Sequence, residues 1–263
     1  MDRVLFIDVD GTLLNSAHQL TERTRTTLRA AHDKGAVIVI SSGRCADGVE
    51  SIRKELGFPV YLSTLNGAYV INDRDEVISQ SPFPFSDAAG IADLLDRHDM
   101  GYLYFSGPNW GSGKSEDYEL EERIVRAAGL RQPLKEIVLS RPVHKILAVS
   151  RGSSAADQAF LTQLRASFPS YSIVPSSRIY TEINTPGTSK GAAVESVCAY
   201  LGRPVSQSVA FGDWDNDITM FRASHIAVCL ANGSESAKRE ADVIAPSNDE
   251  DGLARWIEEN LFS

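Results

Sequence analysis

Short runs of Val, Ile and Phe alternate with helix-patterned segments at both ends of this chain, and that alternation restricts the fold more than any other feature. Residues 4–9 are dense in Val, Ile and Phe, the pattern of a strand buried on both faces. Residues 21–34 have helical spacing, with Leu28 and Ala31 on one side and Gly35 closing the helix. The same reading gives a strand at 36–40, a helix at 49–56 ended by Gly57, and a strand at 60–65. A hairpin is expected from 69–71 and 77–79 around Asn72-Asp73-Arg74-Asp75. The alternation resumes late in the chain, with a helix at 189–201, a strand at 208–211 and a helix at 217–223. It closes with a strand at 226–229, a helix from 234, a short strand at 243–244 and a helix from 252. Strands that alternate with helices in this way pair in parallel and carry helices on both faces.

The middle breaks the rhythm. Ser81-Pro82-Phe83-Pro84-Phe85 is a proline-punctuated joint, and Asn184-Thr185-Pro186-Gly187 is a second. Between them the expected elements are helices at 87–98, 116–128 and 155–168 and strands at 102–105, 145–149, 171–174 and 179–183. The fold expected is therefore α/β: a Rossmann-like parallel-sheet core, 1–81 and 186–263, interrupted by an inserted α+β cap domain, 82–185. No apolar run approaches the ~20 residues that span a bilayer, and no basic and apolar leader opens the chain, so a cytoplasmic location without a membrane partner is expected. A net charge of -9 argues against a nucleic-acid partner. Cys45, Cys198 and Cys229 are odd in number and widely spaced, as in a reducing compartment. The five histidines form no ligand spacing.

Four segments carry chemistry. Asp8-Val9-Asp10-Gly11-Thr12 stands where the first buried strand ends, the place where open parallel sheets bind ligands. Two carboxylates two residues apart point the same way and repel unless a cation or proton relieves them. Gly11 lets the backbone turn sharply and approach a ligand. A plain turn is the blander reading, but a carboxylate within an apolar strand needs a partner. Ser41-Ser42-Gly43-Arg44 ends the second strand ahead of a helix, where a hydroxyl and free N–H groups cradle phosphate, or where Ser merely caps. Thr188-Ser189-Lys190-Gly191 opens a helix with a cation at its unfavourable end, so Lys190 answers a nearby anion unless it is a solvated surface lysine. Gly212-Asp213-Trp214-Asp215-Asn216-Asp217 is a hard-oxygen cluster suited to magnesium, or a solvated acidic loop.

In this order the four segments resemble the haloacid dehalogenase superfamily, over the whole chain. Asp8-Val9-Asp10-Gly11-Thr12 fits its first motif, Ser42-Gly43-Arg44 its second, Lys190 its lysine, and Gly212-Asp213 with Asn216-Asp217 its acidic motif. The place and size of the insertion are similar to the Cof-type branch with a type IIB α/β cap. Asn66-Gly67-Ala68, Asn232 and Asn248-Asp249-Glu250-Asp251-Gly252 recur as in that branch. Ser stands at 42 where Thr is common, and Ala231-Asn232-Gly233 replaces Gly-Asn-Ala.

The resemblance implies a phosphatase acting on small phosphorylated metabolites, with Asp8 as nucleophile through an aspartyl-phosphate. It implies Mg2+ held by Asp8, the Asp10 carbonyl and Asp213, with Asn216 and Asp217 orienting that set. Asp10 serves as general acid and base, and Ser42 and Lys190 bind the equatorial oxygens. Gly11, Gly43, Arg44 and Asn66 complete the phosphate surroundings. Trp110 either stacks on substrate or lies in ordinary cap core, the latter being preferred. The competing functions are a phosphomutase and a non-catalytic sensor of phosphometabolites; the oligomeric state is not legible.

Overall fold

The computed structural model describes residues 2–125, 127–150, 152 and 154–262. The chain begins with β1 (Val4–Asp8), α1 (Glu22–Asp33), β2 (Val37–Ser41), α2 (Glu50–Leu56), β3 (Tyr61–Thr64), β4 (Tyr69–Ile71) and β5 (Val77–Gln80). The inserted stretch adds α3 (Phe85–Arg97), β6 (Gly101–Ser106), β7 (Asn109–Gly111), α4 (Ser115–Val125), α5 (Leu134–Ile137), β8 (Lys145–Val149), α6 (Ser154–Ser167), β9 (Ser172–Pro175) and β10 (Tyr180–Asn184). The chain then returns with α7 (Lys190–Leu201), β11 (Ser208–Gly212), α8 (Ile218–Ala223), β12 (Ile226–Leu230), α9 (Glu235–Glu240), β13 (Val243–Ala245) and α10 (Gly252–Leu261).

The first unit comprises Met1–Arg44, Val49–Ser79 and Ser189–Ser263. Its sheet runs in the order β13-β12-β11-β1-β2-β3-β4-β5, and it is parallel from β13 through β3, with β4 antiparallel to β3. Every residue of β1 is buried because both faces are covered. Val4 and Phe6 share one face with Ala210 and pack with Val194, Val197, Met220 and Phe221 of α7 and α8. Phe211, one register step on, presents the opposite face to Trp256 of α10, ring centroids 5.3 Å apart. The strand order reverses at β1, so its carboxyl end opens into the crevice where such sheets take ligands.

The second unit comprises Cys45–Gly48 and Gln80–Thr188. Its antiparallel sheet has the order β7-β6-β8-β10-β9. One face, with Tyr102, Tyr104, Ile146, Ala148 and Ile183, is sealed by Ile91, Leu95, Phe160 and Leu164 of α3 and α6. The division falls at 79/80 and 188/189, against the 81/82 and 185/186 expected from the prolines. Hydrogen bonds explain the shift: His144 meets Gln80 at 3.0 Å, and the Thr185 hydroxyl donates to the Ser81 carbonyl at 3.0 Å. Cys45–Gly48 joins this unit as the Asp47 N–H donates to the Pro108 carbonyl at 3.2 Å.

Two short elements, β7 and α5, stand where no periodic pattern announced them. Trp110 on β7 has no exposed surface, donates its indole N–H to the Ala127 carbonyl at 3.1 Å and packs on Tyr118. That places Trp110 in the core of the unit and removes the stacking alternative. The helix expected over 116–128 is Ser115–Val125, and Arg126 lies outside the described residues. No helix among the described residues is long and apolar enough to cross a membrane.

Candidate active site

Asp8 is the last residue of β1, still in register with Ser41 of β2, and is 7% exposed. Lys190 opens α7, whose start is fixed by Ser189 accepting the Ala192 N–H. From there its ammonium donates to Asp8 Oδ1 at 2.5 Å and to Asp217 Oδ1 at 2.6 Å. The lysine and Asp217 side chains are wholly buried. These two carboxylates are the anions that a lysine at a helix N-terminus requires. The second oxygen of Asp217 accepts the backbone N–H groups of Asp213 and Trp214, both at 2.9 Å. Asp217 therefore fixes the turn that delivers Asp213, and Thr12 holds Asp213 from the other side, its hydroxyl donating to Oδ1 at 2.9 Å.

Oxygens of Asp8, Asp213 and Asp217 lie within 4.8 Å of one another, so three carboxylates face one ammonium. Burial, reinforced by Asp217 and Asp213 against the pull of Lys190, pushes the Asp8 carboxyl up to about 8. Burial also raises Asp213 to about 6, with Thr12 opposing and Asp217 adding. Burial alone would lower Lys190, but Asp8 and Asp217 together hold it above its ordinary value. The ammonium thus keeps its proton, and the surplus is of negative charge. Buried hard oxygens with surplus charge fit a divalent cation, which would offset the repulsion.

The approach to that cluster is built by backbone. Gly11 has φ +88°, and a Cβ there would sit 2.4 Å from Asp213 Oδ2, so only glycine leaves this space open. Asn232 donates its amide to the Gly11 carbonyl at 2.8 Å and accepts the Asn248 N–H at 3.0 Å. Asn248 in turn donates to the Leu14 carbonyl at 2.9 Å. The late asparagines thereby hold the loop after β1. Sequence reasoning assigned no role to Thr12 or Asn248, because their partners are 201 and 234 residues away.

The remaining candidates form a second group. Ser42 is buried, its N–H donates to the Ser63 carbonyl, and its hydroxyl accepts the Arg44 N–H at 3.1 Å. Arg44 grips Asp10 with two prongs, Nε to Oδ2 at 2.9 Å and a terminal nitrogen to Oδ1 at 2.5 Å. The Asp10 carboxylate is half exposed and stands outside the buried carboxylate cluster. Asn66, in the left-handed region at φ +57°, donates its N–H to the Ser42 carbonyl, and its side chain lies against Gly43. Asn216 donates to Asn66 at 3.3 Å rather than to Asp213. The structure thus brings Asp8, Lys190, Asp213 and Asp217 together, and it links Ser42, Gly43, Asn66 and Asn216 in a neighbouring loop set.

Comparison with known proteins gives the family. A putative phosphatase of Haemophilus influenzae is 28% identical over 263 residues, covering 99% of each chain. The 5-amino-6-(5-phospho-D-ribitylamino)uracil phosphatase YcsE of Bacillus subtilis is 26% identical, covering 97% of this chain and 94% of its own. The crystal structure of a haloacid dehalogenase-like hydrolase from Bacteroides thetaiotaomicron superposes with a TM-score of 0.87 at 26% identity, covering 98% of both chains. The family model for haloacid dehalogenase-like hydrolases matches residues 5–257. The relatives are named phosphatases, the chain is a phosphoric monoester hydrolase, and it belongs to the haloacid dehalogenase-like hydrolases, in their Cof-type branch.

Proposed function

We propose that this protein is a magnesium-dependent phosphatase of small phosphorylated metabolites that works through an aspartyl-phosphate on Asp8. One observation carries the reading: Asp8 is held by a buried lysine at the carboxyl end of β1, within one cluster with Asp213 and Asp217. Lys190 bonds Asp8 Oδ1, which leaves Oδ2 to attack phosphorus in line. The bond from phosphorus to the leaving oxygen breaks, and that oxygen takes a proton from Asp10. Asp10 then removes a proton from the water that attacks the phosphoaspartate, releasing phosphate and restoring Asp8.

Asp10 reaches this role only when its contact with Arg44 opens. Ser42 and Lys190 donate to the equatorial oxygens, where charge spreads in the transition state. Asp8, Asp213 and the Asp10 carbonyl would hold the ion, since both oxygens of Asp217 are committed to Lys190 and to backbone N–H groups. When bound, magnesium neutralises the phosphoryl oxygens and polarises phosphorus. The inserted unit serves as the cap that selects the substrate. The ribityl phosphate in the name of the Bacillus relative supports a sugar phosphate or similar phosphomonoester. Three free, buried cysteines suit a cytoplasmic setting.

A phosphomutase is not favoured, as the relatives compared are named phosphatases. The test is hydrolysis of p-nitrophenyl phosphate with magnesium and then with chelator, for wild type and Asp8→Asn. Turnover that needs both the ion and Asp8 is the expected result; turnover by Asp8→Asn near the wild-type rate overturns the assignment.

A further inference from the structure

Asp215 stands in the middle of the turn that carries Asp213, yet it takes no part in the buried cluster of Asp8, Asp213 and Asp217. Acids at 213, 215 and 217 repel one another, which loosens a loop unless each charge is held. Asp217 is held by Lys190 and by the N–H groups of Asp213 and Trp214. Asp215 is exposed and turns to a different partner, the segment that follows β12. Its Oδ1 accepts the Ser234 hydroxyl at 2.6 Å and the Ser236 hydroxyl at 2.5 Å.

Ser234 grips the same turn a second time. Its backbone N–H donates to the Asp213 carbonyl at 2.8 Å, and its hydroxyl accepts the Ala237 N–H at 3.1 Å. This close approach depends on the residue before it. A Cβ on Gly233 would sit 2.8 Å from the Asp213 carbonyl oxygen and 2.7 Å from Cys229 Sγ. Asp213 is thus fixed at its N–H by Asp217, at its carbonyl by Ser234 and at Oδ1 by Thr12. Oδ2 remains, and it faces the space that Gly11 leaves open. A single bond from Ser234 to the Asp213 carbonyl would act as a pivot. The second bond, to Asp215 two residues on, stops the 213–215 stretch from rotating about it.

We infer that Asp215 is a positioning residue for Asp213, acting through the hydroxyls of Ser234 and Ser236 rather than as a ligand or through its charge. This rests on the magnesium-dependent phosphatase reading above and extends the supporting frame of the cation site to the segment after β12. Loss of an outer partner of a metal ligand lowers affinity by about 10–100-fold. Asp215 acts on Asp213 through two intervening residues, so the lower end of that range is expected.

The test is calorimetric titration of magnesium chloride into metal-free wild type, Asp215→Asn, Asp215→Ala and Ser236→Ala, in about 0.15 M salt to screen exposed charge. The Asn amide oxygen accepts both hydroxyls as the carboxylate does, but without the charge. Asp215→Ala should raise the magnesium Kd about tenfold, and Asp215→Asn should keep it within about threefold of wild type. Ser236→Ala should raise Kd about threefold alone and add nothing in an Asp215→Ala background. With p-nitrophenyl phosphate at saturating magnesium, Asp215→Ala should recover kcat to within about twofold. Equal weakening by Asn and Ala makes the effect one of charge and overturns the inference. So does a fall in Tm in chelator with Kd unchanged, which marks a merely structural contact, or independent effects of Ser236→Ala and Asp215→Ala. Failure of the phosphatase reading looks different and takes this inference with it: the wild type itself neither binds magnesium nor turns over p-nitrophenyl phosphate.

Discussion

Replacing Asp8 with Asn should make the metal-free protein more stable while destroying its activity. Burial among Asp217 and Asp213 moves the Asp8 carboxyl from 3.8 to about 8, even with Lys190 at 2.5 Å. A carboxyl raised on folding binds its proton more tightly in the native state, so its cost is absent below pH 3.8 and grows as pH climbs through 8. At ~1.4 kcal/mol per pH unit that cost reaches on the order of 5 kcal/mol by pH 8. The amide is neutral at every pH, and its oxygen still accepts from Lys190, which keeps Asp217 as its ionic partner. Half of the full value, at about 2–4 °C per kcal/mol, is a rise in Tm of about 5–10 °C. The assay is thermal unfolding of wild type and Asp8→Asn in chelator at pH 8 and again near pH 4.5. The difference should be large at pH 8 and mostly gone near pH 4.5. A variant less stable than wild type at pH 8 would refute the reasoning, because the Lys190–Asp8 pair would then outweigh the burial of a third carboxylate.

Other consequences follow from single contacts. His144 accepts the Gly107 N–H on Nδ1 and meets Gln80 through Nε2, and burial lowers it from 6.5 to about 4. A histidine depressed on folding is protonated first in the unfolded chain, so stability should fall by on the order of 3 kcal/mol between pH 6.5 and 4. His144→Gln should flatten that component in urea titrations. Gly11→Ala combines a left-handed backbone with a Cβ 2.4 Å from Asp213 Oδ2. It should cost about 1–3 kcal/mol and abolish the rise in Tm that magnesium gives the wild type. Asn232→Ala strands the Gly11 carbonyl and the Asn248 N–H, and a loss of about 1–2 kcal/mol in chemical denaturation is expected.

The parallel core was legible because its strands are short apolar runs covered on both faces, and its first two helices end at Gly35 and Gly57. Lys190 at a helix start pointed to an anion from the dipole alone. The anions themselves, 182 and 27 residues away, follow only from the strand order. Long-range pairing also hid the rest. Nothing near Thr12 indicates that it will hold Asp213, and nothing near Arg44 indicates the two-pronged hold on Asp10. β7 is three residues long, too short for a period, and α5 spans four. Cys45–Gly48 reads as loop between strand and helix, and its place in the inserted unit is set by a hydrogen bond to Pro108.

The central claim is that Asp8 carries the phosphoryl group. Borohydride quenching during steady turnover of p-nitrophenyl phosphate with magnesium would reduce an acyl phosphate to the alcohol and leave an ordinary carboxylate intact. Peptide mass analysis should then find the reduced side chain at position 8, and only in samples given both substrate and magnesium. An unmodified Asp8 under continuing turnover, or reduction at another carboxylate, would contradict the account.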